Sequence, residues 1–404
     1  PLGVLPGGKP VAQYAEGGAD LIESDQAAVL ALVREYRLPL VPILTDGFGF
    51  YGTGPGGRPV VQTGTRTLAG LFAPFWPAVV EYQRLENRWD SPLARAYARQ
   101  SVAEYLAARG ASRATIARFR GLRGFFLADP EDLSMLALLD FLATDAFGGD
   151  GRTFRIRGGN DRLPMAMAAS LRTPVRLRTV LRRVRQHARG VTATVEDTRG
   201  RHEIAADAVI VAMPATTARD VVFEPGLPTL QREAMATLRY GGATRLLLQF
   251  ASRFWWRAGR PRAFGSDLPT GAVWDGNEHV RGPHGILSFL AGGRASDALV
   301  DLLNTEGPLG VVSRLRWMGR PSALTAAQMV RWNDDPWVRG GYAAFDPAFD
   351  PAGRDALARS AGRVHFAGEH TSIRWQGYMN GAVESGQRAA ADAWYANERP
   401  GNNL

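Results

Sequence analysis

The residues best suited to chemistry lie between Val364 and Ala390. They read Val-His-Phe-Ala-Gly-Glu-His-Thr-Ser-Ile-Arg-Trp-Gln-Gly-Tyr-Met-Asn-Gly-Ala-Val-Glu-Ser-Gly-Gln-Arg-Ala-Ala. A strand ends at Gly368 and Glu369, a loop crosses over, and a helix begins beside Gly377. The two glycines let main chain come close to a ligand. The first N–H groups of the helix, near Tyr378 and Met379, are free donors at the positive end of the helix dipole. Together they form a spot that attracts anions. Gly381 and Ala382 keep the helix slim against a neighbour. The same pattern also suits an ordinary strand–loop–helix packing unit.

Phe-Ala-Gly-Glu-x-Thr, followed by Gly-Tyr-Met-x-Gly-Ala-Val-x-Ser-Gly, resembles the carboxy-terminal FAD motif of the flavin-containing amine oxidase family. That family includes monoamine oxidases, polyamine oxidases and L-amino-acid oxidases. The resemblance implies that Gly368 and Glu369 sit by the ribityl–pyrophosphate part of FAD. It implies that the main chain of Gly377–Met379 meets the pyrimidine edge of the flavin, and that Tyr378 is one wall of an aromatic cage before it. Trp332-Asn-Asp-Asp-Pro-Trp-Val-Arg-Gly-Gly-Tyr342 resembles the family segment with a flavin-stacking tryptophan, here Trp332, and the second cage tyrosine, here Tyr342. Trp375 joins the candidate catalytic residues. Gly341 stands where monoamine oxidases carry a flavin-linked cysteine, so non-covalent FAD is expected.

Further stretches resemble the family in the same order. Tyr14-Ala-Glu-Gly-Gly-Ala-Asp resembles the loop beside the isoalloxazine ring, which makes Glu16, Gly17 and Gly18 candidate cofactor contacts. Arg155-Ile-Arg-Gly-Gly-Asn-Asp-Arg-Leu-Pro resembles the central Gly-Gly helix start. Val175 to Val184 resembles the strand whose main chain meets adenine, with Leu181 at that position. Asp207-Ala-Val-Ile-Val-Ala-Met-Pro resembles the strand beneath the FAD domain. The resemblance covers nearly all of the chain.

Three departures stand out. No glycine-rich strand–turn–helix unit, the usual cradle of the pyrophosphate, precedes Tyr14. Gly47-Phe-Gly-Phe-Tyr-Gly52 satisfies the spacing, but no apolar helix follows it. The chain opens at Pro1 and reads as an internal cut, so the expectation is a member without its amino-terminal βαβ unit. Second, Arg245 occupies the place of a lysine that holds a water near flavin N5. Arginine keeps the charge but cannot release its proton at working pH; a strand arginine facing solvent is the alternative. Third, Asp20 and Leu21 follow Gly18 where many L-amino-acid oxidases place a carboxylate-clamping arginine, which favours an amine over an amino acid.

Composition narrows the classes. With no cysteine among 404 residues, disulfides, thiolate metal sites and a cysteinyl flavin are excluded. No metal motif appears, and the 6 histidines are scattered. The net charge of +9 rests on arginine. Those arginines are spread along the chain rather than interleaved with aromatics, which argues against nucleic acid. No apolar run reaches transmembrane length and no signal peptide is visible, so a cytoplasmic protein without a membrane partner is expected.

The elements that must position these residues follow from periodicity. Helices are expected over Ala27–Tyr36 with Asp25 as cap, Pro92–Arg109, Pro130–Phe147, 162–171 capped by Asn160 or Asp161, and Tyr378–Ala396. Asp46–Arg58 reads as a glycine-rich loop. Strands are expected at Phe154–Arg157, from Val175, at Val184–Gln186 and Val191–Glu196, and at Ala208–Met213 as a buried parallel strand. The fold class is α/β: a two-domain FAD-dependent amine oxidase fold. Residues 1–25, 151–225 and 335–404 form an incomplete Rossmann-like FAD-binding domain. Residues 26–150 and 226–334 form a mixed-sheet substrate domain with a helical insertion. The expected reaction oxidises a C–N bond of a small amine to an imine, with dioxygen reduced to hydrogen peroxide. The alternatives are a non-catalytic binding or assembly module, and an oxidase or desaturase of a larger natural product. A homodimer, and a separate amino-terminal segment that completes the FAD site, are left open as partners.

Overall fold

The computed structural model describes residues 3–4, 13–53, 58–63, 70–86, 88–143 and 151–398. Of the opening Pro1–Gly8, which reads as a loop in the sequence, only Gly3–Val4 is described, as a strand; the Phe147 end of an expected helix lies outside the described residues. The chain is a mixed α/β protein with several sheets.

The largest sheet has eight strands, in the order Gly3–Val4, Leu324–Arg331, Ala243–Phe250, Gly285–Gly292, Ala272–Asp275, Ala263–Ser266, Phe48–Thr53 and Pro59–Thr63. Ala243–Phe250 pairs on both edges, and all its residues are buried. A strand enclosed on both faces needs apolar side chains throughout. Leu246, Leu248 and Phe250 supply them on the face covered by the helix Arg294–Ser313. Any charge on such a strand is expensive unless paired, and Arg245 is the charge there.

The expected loop at Asp46–Arg58 is instead part of a hairpin, Phe48–Thr53 against Pro59–Thr63. Its glycines serve packing as well as turning: a Cβ on Gly49 would lie 2.6 Å from the Phe264 ring. The expected helix Pro92–Arg109 is two, Pro92–Ala98 and Val102–Ala107. Ser101 breaks it by starting a capping box with Glu104, which satisfies free N–H groups locally. Met135–Ala143 is the helical part of the stretch that begins at Pro130.

Elsewhere the expected strands form smaller sheets. Ile22–Glu23, Thr153–Ile156 and Leu40–Ile43 make one. The hairpin Val180–His187 and Gly190–Asp197 belongs to a four-stranded sheet. The strand starts at Val180 rather than Val175, because 172–179 is exposed irregular chain with Arg178 at φ 55°. Val209–Val211 does pair in parallel with Val364–Phe366. That sheet has only two strands, so Ile210 is 40% exposed rather than buried. Nearby in sequence, the helix Arg162–Ser170 buries only Leu163. Met165 and Leu177 are 65% and 79% exposed. Among the described residues, no helix is long and apolar enough to cross a membrane.

Both expected caps differ from what is found. Asp25 does not cap Ala27–Glu35; Asn380 does so from the far end of the chain. Its Oδ1 accepts from the N–H groups of Ala28 (2.9 Å) and Val29 (3.1 Å). Asp161 does stand at the N-cap of Arg162–Ser170, but its side chain makes no capping hydrogen bond. Asn160 instead bonds Ile156 N–H and the carbonyls of Ala19 and Asp20, which pins the loop that holds Gly17 and Gly18.

Candidate active site

The loop after Val364–Phe366 turns at Gly368 (φ 124°) and at Gly377 (φ 81°), and the helix Met379–Glu398 follows. Only glycine accepts such angles without strain. Gly381 is required for a different reason: a Cβ there would lie 2.1 Å from the Trp375 carbonyl oxygen. Two arginines hold the loop by its carbonyls. Arg354 donates to His370 (2.9 Å) and to Ser372, and Arg388 donates to Phe366 (2.5 Å) and Thr371 (3.2 Å). Arg354 is buried over the rings of Phe345 and Trp89, and its charge is felt by the buried Asp140. Sequence reasoning singled out neither arginine. Arginine in a carbonyl-rich loop carries no spacing signature, because its partners are set by tertiary contact.

Glu369, half-buried within this loop, accepts from the N–H of Ala343 at Oε1 (3.0 Å) and of Gly377 at Oε2 (2.7 Å). Burial pushes its carboxyl up, and these donors and Arg354 pull it back. Tyr342 and Tyr378 flank the same contacts. The Tyr342 ring packs on Gly377, its nearest carbon 3.2 Å from where a Cβ would stand. Its hydroxyl donates to the Phe125 carbonyl. Tyr378 meets Trp375 edge to face, with ring centroids 5.5 Å apart. Burial raises both phenols above their ordinary value, so both rings stay neutral.

The loop of Glu16, Gly17 and Gly18 closes on the same region. Trp332 donates its indole N–H to the Gly17 carbonyl (3.0 Å). A Cβ on Gly18 would come within 3.0 Å of the Trp332 ring. Glu16 accepts from Asn160 N–H (2.8 Å). Arg245 is not a solvent-facing strand residue: it is 2% exposed. It donates to the Gly18 carbonyl and to Ser288 Oγ (3.0 Å), and stacks on Trp274. Asp20 lies 3.6 Å from it, bonds Arg155 Nε, and accepts from Trp274 Nε1 (2.7 Å). One buried carboxylate thus faces two buried guanidinium groups. Sequence reasoning noted Asp20 only as a missing arginine. Leu181 stands apart from this cluster, half-buried at a bulge of the four-stranded sheet. Met379 starts the last helix and packs near Ile22 and Val29.

The model of the family described as flavin containing amine oxidoreductase matches residues 7–393. The chain belongs to that family. A Mycobacterium tuberculosis protein named as a flavin-containing monoamine oxidase is 29% identical over 401 residues, which span 94% of this chain and 86% of that protein. An L-amino-acid oxidase of Siganus canaliculatus is 28% identical over 286 residues, 66% of this chain and 52% of that protein. Among solved structures, a putrescine oxidase double mutant superposes with a TM-score of 0.79 at 21% identity, covering 93% of this chain and 87% of its own. Cyclohexylamine oxidase from Brevibacterium oxydans gives 0.78 at 22% identity, covering 97% and 89%. The family fold, an α/β flavin amine oxidase fold, is therefore the fold of this oxidoreductase.

The residues fit a flavin. Arg245 Nε is fully buried with no hydrogen-bond partner among the described residues, an expensive state unless something else accepts from it. The positive-φ glycines bring main chain forward at the start of a helix, but the expected free donor at Tyr378 is not found: its N–H donates to the Trp375 carbonyl (3.2 Å), and the Gly377 N–H donates to Glu369 (2.7 Å).

Proposed function

We propose that the chain is an FAD-dependent oxidase of amines. The observation that carries this reading is the pair of neutral phenols, Tyr342 and Tyr378, set about the Gly377 turn at the helix start. In this reading they are the two walls of a cage. Their π faces hold an uncharged amine nitrogen and direct its α-carbon. A bound flavin supplies the acceptor for a hydride equivalent. The amine gives up two electrons and two protons and becomes an imine, which water hydrolyses. Dioxygen takes both electrons and both protons to give hydrogen peroxide. The helix start at Met379 favours negative charge beside it, and Arg245 places a fixed positive charge at the Gly18 carbonyl. Glu16, Gly17, Gly18, Trp332, Gly368 and the Gly377–Met379 main chain hold the cofactor, with Leu181 toward the adenine end. FAD is held without a covalent bond, since Gly341 offers no side chain.

Asp20 supports amines over amino acids. Arg155 and Arg245 share it, so part of the buried positive charge in this cluster is already countered. The free Arg245 Nε–H supports the second reading, a substrate with a carboxylate. The acceptor is part of the proposal too, because a Synechocystis relative, 28% identical over 267 residues, is named an L-amino acid dehydrogenase. The exposed apolar face of 162–178 supports a separate segment that docks there and completes the FAD site. Purified protein supplied with FAD should release peroxide with amines and much less with L-amino acids. Tyr378→Ala should lower turnover by about 100-fold, the scale of a lost orienting contact, while flavin binding stays within about threefold. Unchanged turnover in that variant would refute the cage.

A further inference from the structure

The residue that resemblance assigns to the cofactor is already occupied within the protein. A carboxylate has two oxygens and about four acceptor sites. Glu369 spends one oxygen on Ala343 N–H and the other on Gly377 N–H, at 3.0 and 2.7 Å. The Tyr240 hydroxyl lies close enough to help hold its charge. Ala343 directly follows Tyr342, and Gly377 directly precedes Tyr378. We propose that Glu369 is a positioning residue that sets the spacing of the two tyrosines by holding the main chain beside each.

The local architecture explains why such a tie is needed. Ala343–Ala344 is a two-residue strand, paired on one edge with Arg239–Tyr240. On its other edge side chains take the place of a neighbouring strand. Glu369 accepts from Ala343 N–H, and Gln376 donates to Ala343 C=O. The opposing segment begins at Gly368 and ends at Gly377, both at positive φ. Glycine gives that segment backbone freedom. Arg354 and Arg388 fix its carbonyls, whereas Glu369 and Gln376 reach across to the tyrosine strand, and Glu369 also bonds the Gly377 N–H beside the second tyrosine. Tyr240, on the paired edge, closes the arrangement, and its hydroxyl also accepts from Ala215 N–H (3.3 Å).

The assignment rests on Tyr342 and Tyr378 being the cage walls, yet it is testable without cofactor. Glu369→Gln keeps the size but replaces one oxygen with a nitrogen that donates, and both main-chain partners are donors too. In the cofactor-free chain, hydrogen exchange at the Ala343 or Gly377 amide should speed by about tenfold or more, the scale of a lost bond to a charged acceptor. The Leu247 amide, in the middle of the large sheet, should stay protected. Tyr240→Phe should raise exchange at both amides by less, and it carries the test if Glu369→Gln does not fold. Unchanged exchange at both amides in a folded variant would overturn the assignment. So would weaker FAD binding by Glu369→Gln with unchanged exchange, since that would make Glu369 a cofactor ligand only. Failure of the amine-oxidase reading would appear instead as absent flavin binding or absent turnover in the wild-type chain.

Discussion

The loop 366–378 and the stretch 162–178 lie on the same polypeptide but are built on opposite terms. In the first, nearly every polar atom named here has its partner inside the protein. Arg354 and Arg388 take the carbonyls, Glu369 takes the amides, and Asn380 reaches over to another helix. The second has a nine-residue helix anchored by Leu163 alone, then exposed chain rich in apolar residues. Isolated helices of that length are marginal in water. The ring end of the proposed site is thus organised by the chain's own contacts, whereas the adenine end presents a face suited to covering by something else.

The sharpest way to break this contrast is Arg354→Met. Asp140 would lose its facing charge and the carbonyls of His370 and Ser372 their donor. Leaving a buried acceptor without its donor costs about 1–3 kcal/mol, so urea unfolding should register a loss of at least that size. Gly381→Ala should cost about 1–3 kcal/mol through overpacking against the Trp375 carbonyl, read as a lower Tm. Comparable changes at 162–178 should be nearly silent. Leu177→Ser should stay within about 0.5 kcal/mol of wild type while reducing self-association in light scattering.

Asp140 gives a comparison in pH. Burial raises its carboxyl to about 6, above the unfolded carboxylate value. A raised acid favours the native state fully at low pH, and that contribution is lost as pH climbs through about 6. Asp140→Asn has no such loss. Its Tm relative to wild type should therefore rise between pH 4 and pH 8, by the order of a few degrees. His370, lowered to about 4 by burial and by Arg354 and Arg388, acts in the opposite sense. It is a base with a depressed value, so its contribution is present above its unfolded value and lost as pH falls toward 4. In wild type the two trends oppose each other, and Asp140→Asn should expose the histidine's acid limb.

What was legible in the sequence was local. The helix starting beside Gly377, the parallel strand before Pro214, the hairpin after Val180 and the helix at Ala27 are all set by short-range pattern. The grouping of Tyr342, Tyr378, Trp332, Gly17, Gly18 and Arg245 followed from resemblance; in the structure Trp332 and Arg245 meet at the Gly17–Gly18 main chain, and Tyr342 packs on Gly377 beside Tyr378. The hidden part was long-range pairing. Nothing near Asp20 announces Arg155 and Arg245 as its partners, and nothing near Glu369 announces Ala343. The capping residues were misread for the same reason: Asp25 satisfied the local rule, while the acceptor that fills the role comes from a distant segment. The broken helix at Ser101 was readable, since Ser-Val-Ala-Glu is a capping box, but the longer apolar period masked it.

Asn380 ties assembly to the order of synthesis. Ala28 and Val29 precede their acceptor by 352 and 351 residues. A ribosome must add 351 further residues after Val29 before that amide oxygen exists outside it. Until then, the segment starting at Ala27 emerges with its leading donors open to water, and it gains its final hold only once the tail has come home. Maturation of the front of this protein therefore waits on its back, and a product stopped short of Asn380 would carry an unfinished beginning.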